Sequence, residues 1–241
     1  MKQIAVFLIA MLLCNLLFPV SHAADDDIII EGTTLVSYSC YATEFVIPDG
    51  VTVIAPGAFS EASRLKGIKI PASVVEINFA ALATGFRALE AIHVATDNPA
   101  FYSIDGVLFS KDGTLLLYPP GRGSKEYTIP DGIKVIGSNS FSKASVDKII
   151  MPDSVEEIGP GAFSMIQPTT NLTNHYEVQF QFSNRLHTIG QGAFSLANVF
   201  HITLPESVKT IEDYAFQFCN KLESIELPDG VEYIGKYAFS G

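Results

Sequence analysis

The sequence contains no tryptophan, and only three cysteines and four methionines among 241 residues. Cys14 falls in the leading apolar segment, which leaves Cys40 and Cys219 far apart in the remaining chain. Two distant thiols exclude a disulfide-rich scaffold. No histidine or second cysteine stands beside either at ligand spacing, so neither reads as a metal or catalytic thiol. Basic residues are scarce as well: 15 Lys and Arg stand against 26 Asp and Glu, a net charge of -11. A nucleic-acid partner is excluded, because phosphate recognition needs a concentrated basic face. After the first two dozen residues no apolar run is long enough to cross a bilayer.

Motifs of catalysis are also missing. His93, His175, His187 and His201 are scattered without metal spacing. No G-x-S-x-G is present, and Gly121-Arg122-Gly123 lacks the Lys-Ser/Thr of a phosphate loop. Adjacent acids such as Glu156-Glu157 read as solvated charge. The chain is therefore expected to be no enzyme and to use no cofactor and no metal.

What is present begins with a leader. Lys2, an apolar run from Ile4 to Phe18 interrupted by Asn15, and Ser21-His22-Ala23 have the pattern of a secretory signal over residues 1–23. Residues 24–42 read as an acidic leader, Asp25-Asp26-Asp27, and a cap with extended segments at Ile28–Ile30 and Thr33–Tyr38. With hydrophobic residues at 48%, the remainder is rich enough to bury a core.

Residues 43–241 repeat one phrase. It is clearest at Ile202–Phe216: an apolar residue, Pro, Val, Ile and then Ala-Phe at fixed offsets. Matches are Ile47-Pro48 to Phe59, Ile70-Pro71 to Leu82, Ile129-Pro130 to Phe141, Met151-Pro152 to Phe163, Leu204-Pro205 to Phe216 and Leu227-Pro228 to Phe239. A degenerate unit, Phe182 to Phe194, has Ser183 in place of proline. Upstream of each proline the pattern alternates as on a half-buried strand, and the proline ends that strand. Val-x-x-Ile predicts a second short extended segment, and Ala-Phe plugs the interior. Gly137, Gly159, Gly190 and Gly235 follow the Ile and are expected to adopt positive φ. One unit cannot bury its own apolar face, but stacked units can.

The phrase resembles the BspA-type leucine-rich repeats of secreted and surface proteins. Leu222–Phe239, with Ala215-Phe216-Gln217-Phe218-Cys219-Asn220-Lys221-Leu222 before it, carries nearly every fixed letter of that unit. The resemblance implies a β-rich leucine-rich-repeat solenoid. Such a fold is a curved right-handed coil with a parallel β-sheet on one face and short extended or helical turns on the other. It also implies adhesion or binding, not catalysis. Most units lack the Cys, and Ala62, Gly85, Ala144 and Ala197 stand at or near its place.

Two segments interrupt the array. Residues 96–123 contain turns at Asp105-Gly106 and Lys111-Asp112-Gly113 between apolar runs, the signature of hairpins. This island is expected to stay in register with the sheet, its Phe101 and Tyr102 in the core. Residues 165–176 form a polar insertion that includes the glycosylation pattern Asn171-Leu172-Thr173.

Outward strand positions form a candidate binding face: Lys69, His93, Thr128, Ile150, Gln181, Thr203 and Glu226, continued by Val46. A neighbouring column holds Glu44, Gly67, Ala91, Glu126, Lys148, Gln179, His201 and Ser224. The expected function is recognition of an extracellular protein by a secreted or cell-surface chain, with a structural spacer or a polysaccharide-binding accessory as the alternatives. Glycan binding asks for exposed aromatics on this face, and only Tyr102 and Phe200 come near it. The last unit stops soon after Phe239; a partner-covered end and continuation in a longer product both fit.

Overall fold

The computed structural model describes residues 28–78, 82, 85–169 and 177–241. The expected signal segment, the Asp25–Asp27 leader and the glycosylation pattern at 171–173 lie outside these residues.

The repeated phrase winds into a β-solenoid of about eight turns. Its strands stack in two columns. The front column consists of Glu44–Val46, Gly67–Ile70, Ala91–Val94, Ser124–Thr128, Val146–Ile150, Gln179–Gln181, His201–Thr203 and Ser224–Glu226. The back column holds the Val-x-x-Ile segments, among them Val53–Ile54, Glu76–Ile77, Val135–Ile136, Glu157–Ile158, Thr188–Ile189, Thr210–Ile211 and Tyr233–Ile234. Equivalent letters of successive units face each other: Ile136, Ile158, Ile189, Ile211 and Ile234 form one unbroken register. Leu82 is the single helical position among the described residues.

The expected front sheet is real but broken. It forms three sheets of three, three and two strands, while the back column forms two, one of four strands that begins with the N-terminal pair Ile28–Glu31 and Thr34–Tyr38, and one of eight that includes the island. The first break is the hairpin island, between Val94 and Ser124. At the second, the Glu177 carboxylate accepts hydrogen bonds from the Phe200 and His201 N–H groups, both at 3.1 Å. A side chain there does what a neighbouring backbone carbonyl does elsewhere.

Each proline starts a tight turn. The N–H of Val51, Val155 and Val208 donates to the carbonyl of Pro48, Pro152 and Pro205, at 3.2, 3.1 and 3.0 Å. Ser183 makes the same turn without proline: Leu186 donates to its carbonyl at 3.3 Å, and Arg185 N–H to its hydroxyl at 3.0 Å. The side chain of Ser183 thereby reproduces the constraint that the proline ring supplies in the other units.

The Ala-Phe pairs form a spine. Phe141, Phe163, Phe194, Phe216 and Phe239 stack with centroids 4.9–5.4 Å apart. The glycines before this corner do not adopt the positive φ that the sequence suggested. They sit where the preceding turn passes too close for a side chain: a Cβ on Gly137 would lie 2.6 Å from the Leu115 carbonyl oxygen, and one on Gly159 2.9 Å from that of Ile136. Left-handed residues flank the pair instead, as Gly161 and Met165, Gly192 and Leu196, or Tyr214 and Phe218.

The island is antiparallel, Phe101–Ile104 with Val107–Ser110 and the latter with Thr114–Leu117. It continues the back column through Thr114–Leu117, parallel to Val135–Ile136, and so keeps register there and not at the front. Val107–Ser110 is buried along its whole length. Val107 and Phe109 pack into the C-terminal core, and Leu108 into the N-terminal one. Phe101 is buried and Tyr102 stacks on Phe109 at 5.2 Å, so both aromatics are structural. Asn98 anchors the island. Its amide donates to the Pro71 and Val74 carbonyls at 2.8 and 2.9 Å, and its oxygen accepts from Ala100 and Phe101 N–H at 2.9 and 2.8 Å. The polar insertion begins later than expected, because Ile166 is fully buried and Ser145 bridges Gln167.

Two stability predictions follow from buried polar groups. Asn98→Ala strands four backbone groups and lowers the unfolding free energy by about 3 kcal/mol in urea titrations. Ser140 occupies the Ala place of its unit, and its buried hydroxyl has no partner. Ser140→Ala is expected to stabilise the protein by about 1 kcal/mol in the same measurement.

Candidate functional face

The front strands present alternate residues to solvent because their middle residues enter the coil. Phe45, Ile68, Ile92, Tyr127, Ile149 and Ile202 are buried. Register then aligns the flanking positions. Val46, Lys69 and His93 are neighbours in the first sheet, Thr128, Ile150 and Gln181 in the second, Thr203 and Glu226 in the third. Lys69, His93, Thr128, Gln181, Thr203 and Glu226 are exposed, and Ile150 is half-buried. The second column aligns in the same way: Glu44, Gly67 and Ala91; Glu126, Lys148 and Gln179; His201 and Ser224. Neighbours along a column are about 5 Å apart, the spacing of hydrogen-bonded strands.

Two ion pairs span successive turns at and beside this face. Lys66 pairs with Glu90 at 2.8 Å and Lys148 with Glu126 at 3.2 Å, all at exposed positions. Glu90 accepts the Lys66 hydrogen bond and holds that ammonium above its ordinary pKa. Solvent screens exposed pairs of this kind, so they tune surface charge more than stability. The second sheet is the least charged part of the outer column: Thr128, Ile150 and Gln181 stand in a row. Thr203 donates to Glu226 at 3.1 Å, and His201 shares a hydrogen bond with Ser224 at 3.0 Å. His93 and His201 belong to different sheets and different columns, so the fold does not bring them together.

The gap between the first two front sheets holds residues that sequence reasoning did not select. The Asp105-Gly106 turn closes it: the Gly106 carbonyl accepts from Ile92 N–H at 2.9 Å, and Arg122 donates to the Asp105 carbonyl. Ile104 stays 40% exposed at this seam. The signal was legible as an Asp-Gly turn and an arginine between two glycines. Their meeting was not, because it depends on how the hairpin folds back. Beneath the seam, burial raises the phenol pKa values of Tyr118 and Tyr127.

The aromatics nearest the face are poor platforms. Tyr102 lies against Phe109, and Phe200 is half-buried with the Lys221 ammonium 5.7 Å from its ring centre. No group of three or more potential metal ligands occurs among the described residues. Cys219 donates to the Phe194 carbonyl at 3.0 Å, and burial pushes its thiol pKa up to about 11. Such a thiol is protonated and unreactive at neutral pH.

Comparison with known proteins agrees with this geometry. The family model described as the BspA type Leucine rich repeat region matches six copies over residues 35–112 and 122–241. No curated protein matches. Among solved structures, a leucine rich cell surface protein from Faecalibacterium prausnitzii is 29% identical with a TM-score of 0.66, covering 82% of this chain and 56% of its own. The pneumococcal vaccine antigen PcpA is 26% identical with a TM-score of 0.64, covering 78% of this chain and 51% of its own. A leucine-rich repeat protein from Eubacterium ventriosum, at 24% identity and a TM-score of 0.59, shares the fold. The chain thus spans between half and two thirds of the length of these proteins. With the repeat matched over most of its residues, the chain belongs to the BspA-type leucine-rich repeat family.

Proposed function

We propose that the chain is a non-enzymatic binding protein, secreted or displayed on the cell surface, that recognises an extracellular protein through its front face. The observation that carries this reading is the alignment of exposed side chains in two columns, with an uncharged row at the centre of the outer one. A broad, rigid surface of low net charge suits a protein partner, since protein interfaces deplete unpaired charge at their centre. Thr128, Ile150, Gln181 and Gln179 form the expected centre, with Lys69 and Glu226 towards the two ends. The cell-surface description of the similar Faecalibacterium protein supports the location. The near absence of exposed aromatics on the face favours a protein over a glycan there.

Presenting the chain without residues 1–23 to arrays of extracellular-matrix proteins and glycans at physiological salt tests this. A saturable signal on a protein ligand is expected. The combined variant Lys69→Ala, Thr128→Ala, Glu226→Ala should weaken it at least tenfold while the circular dichroism spectrum is unchanged. A signal indifferent to the triple variant removes the site from the front face, and binding to no protein favours a structural spacer.

A further inference from the structure

A concave region lies away from the front face, at the corner where the Ala-Phe pairs turn. Along most of the array this corner is closed by a ladder of hydrogen bonds between turns. Lys143, Met165, Leu196 and Phe218 N–H donate to the carbonyls of Ser164, Ser195, Gln217 and Ser240, at 2.8–2.9 Å. The ladder advances two residues at a time: Asn139, Phe141 and Lys143 donate in turn to Pro160, Ala162 and Ser164. At the hairpin island it stops. Tyr118 N–H donates to the Ser140 carbonyl at 2.8 Å, and the next donor in step would be residue 120. That residue is proline and has no N–H to offer Ser142.

The interrupted corner leaves a notch of about 780 Å³. This volume falls in the range of small-molecule sites. Leu117 and Pro120 of the island line it, between side chains of the flanking turns. Ser60 and Arg87 come from the N-terminal side, and Asn139, Ser142, Lys143 and Gln167 from the C-terminal side. Two cations and one acid, Glu61, reach the notch, so it is locally positive on a chain of net charge -11. The remaining polar groups are hydroxyls and carboxamides, which both donate and accept. Met165 adds exposed apolar surface above the buried Phe86.

We infer that this notch binds an acidic oligosaccharide, a chain of uronate sugars. Arg87 and Lys143 take the carboxylates, Arg87 through its planar fork of donors. The serine hydroxyls and the Asn139 and Gln167 amides take the ring hydroxyls, and the apolar surfaces meet the C–H faces of the sugars. Concentrating positive charge in a concave place on an acidic molecule selects against neutral glycans and makes binding sensitive to salt. The site shares no residue with the proposed protein-binding face and stands or falls independently of it.

Calorimetric titration with a galacturonate tetrasaccharide, with a neutral galactose tetrasaccharide as control, decides the matter. Saturable binding of the acidic sugar alone is expected, weakening at least threefold between 50 and 300 mM salt, on the order of what screening implies for two ion contacts. The double variant Arg87→Gln, Lys143→Gln alters two exposed side chains and should weaken binding at least tenfold without changing the melting temperature. The front-face variant Lys69→Ala, Thr128→Ala, Glu226→Ala should bind the sugar as the parent does. Absence of saturable binding, equal binding of the neutral sugar, or undiminished affinity in the double variant overturns the assignment.

Discussion

Every turn of this molecule depends on its neighbours for the burial of its own interior. A single unit offers two short extended segments and a turn around one phenylalanine, too little to exclude water. Stacking converts that deficit into a continuous core, because each ring covers the next at about 5 Å. A buried phenylalanine contributes about 2–3 kcal/mol, and edge or face contacts between rings add about 1 kcal/mol. The backbone ladders serve the same stacking. They fix the distance at which side chains of successive turns meet, and so keep the front columns in register.

This dependence explains which parts were legible in the sequence. Letters that face the interior recur with the period of the coil, so the strands, the proline turns and the phenylalanine spine could be read without coordinates. The outward registers followed by counting one residue either side of a buried one. Letters chosen by close approach were misread: Gly137 and Gly159 looked like turn residues, yet each is needed because the preceding carbonyl leaves no room. Left-handed residues such as Met165 and Phe218 carry no such signal, since an apolar side chain at positive φ looks like any other in a sequence.

The sites were legible to different degrees for the same reason. The front face is periodic, so its members could be named; its breaks could not, because the Glu177 carboxylate replaces a backbone group from an irregular stretch. The notch at the corner arises from the relation between a proline in the island and a carbonyl one turn away. Neither residue is unusual alone. The two proposed surfaces thus differ in origin: one repeats with the scaffold, the other lies where the scaffold is interrupted.

The hairpin island has one consequence for how the chain reaches this state. Identical turns can in principle pair one unit too early or too late, since each offers its neighbours nearly the same surface. Val107–Ser110 admits no such slip. Its alternate side chains must enter two different cores, and Asn98 must reach one particular proline turn. A displaced pairing would strand a buried amide and turn Leu108 or Phe109 to the wrong side. The hairpin island is therefore the chain's index mark, the segment that fixes which turns can pair on either side of it.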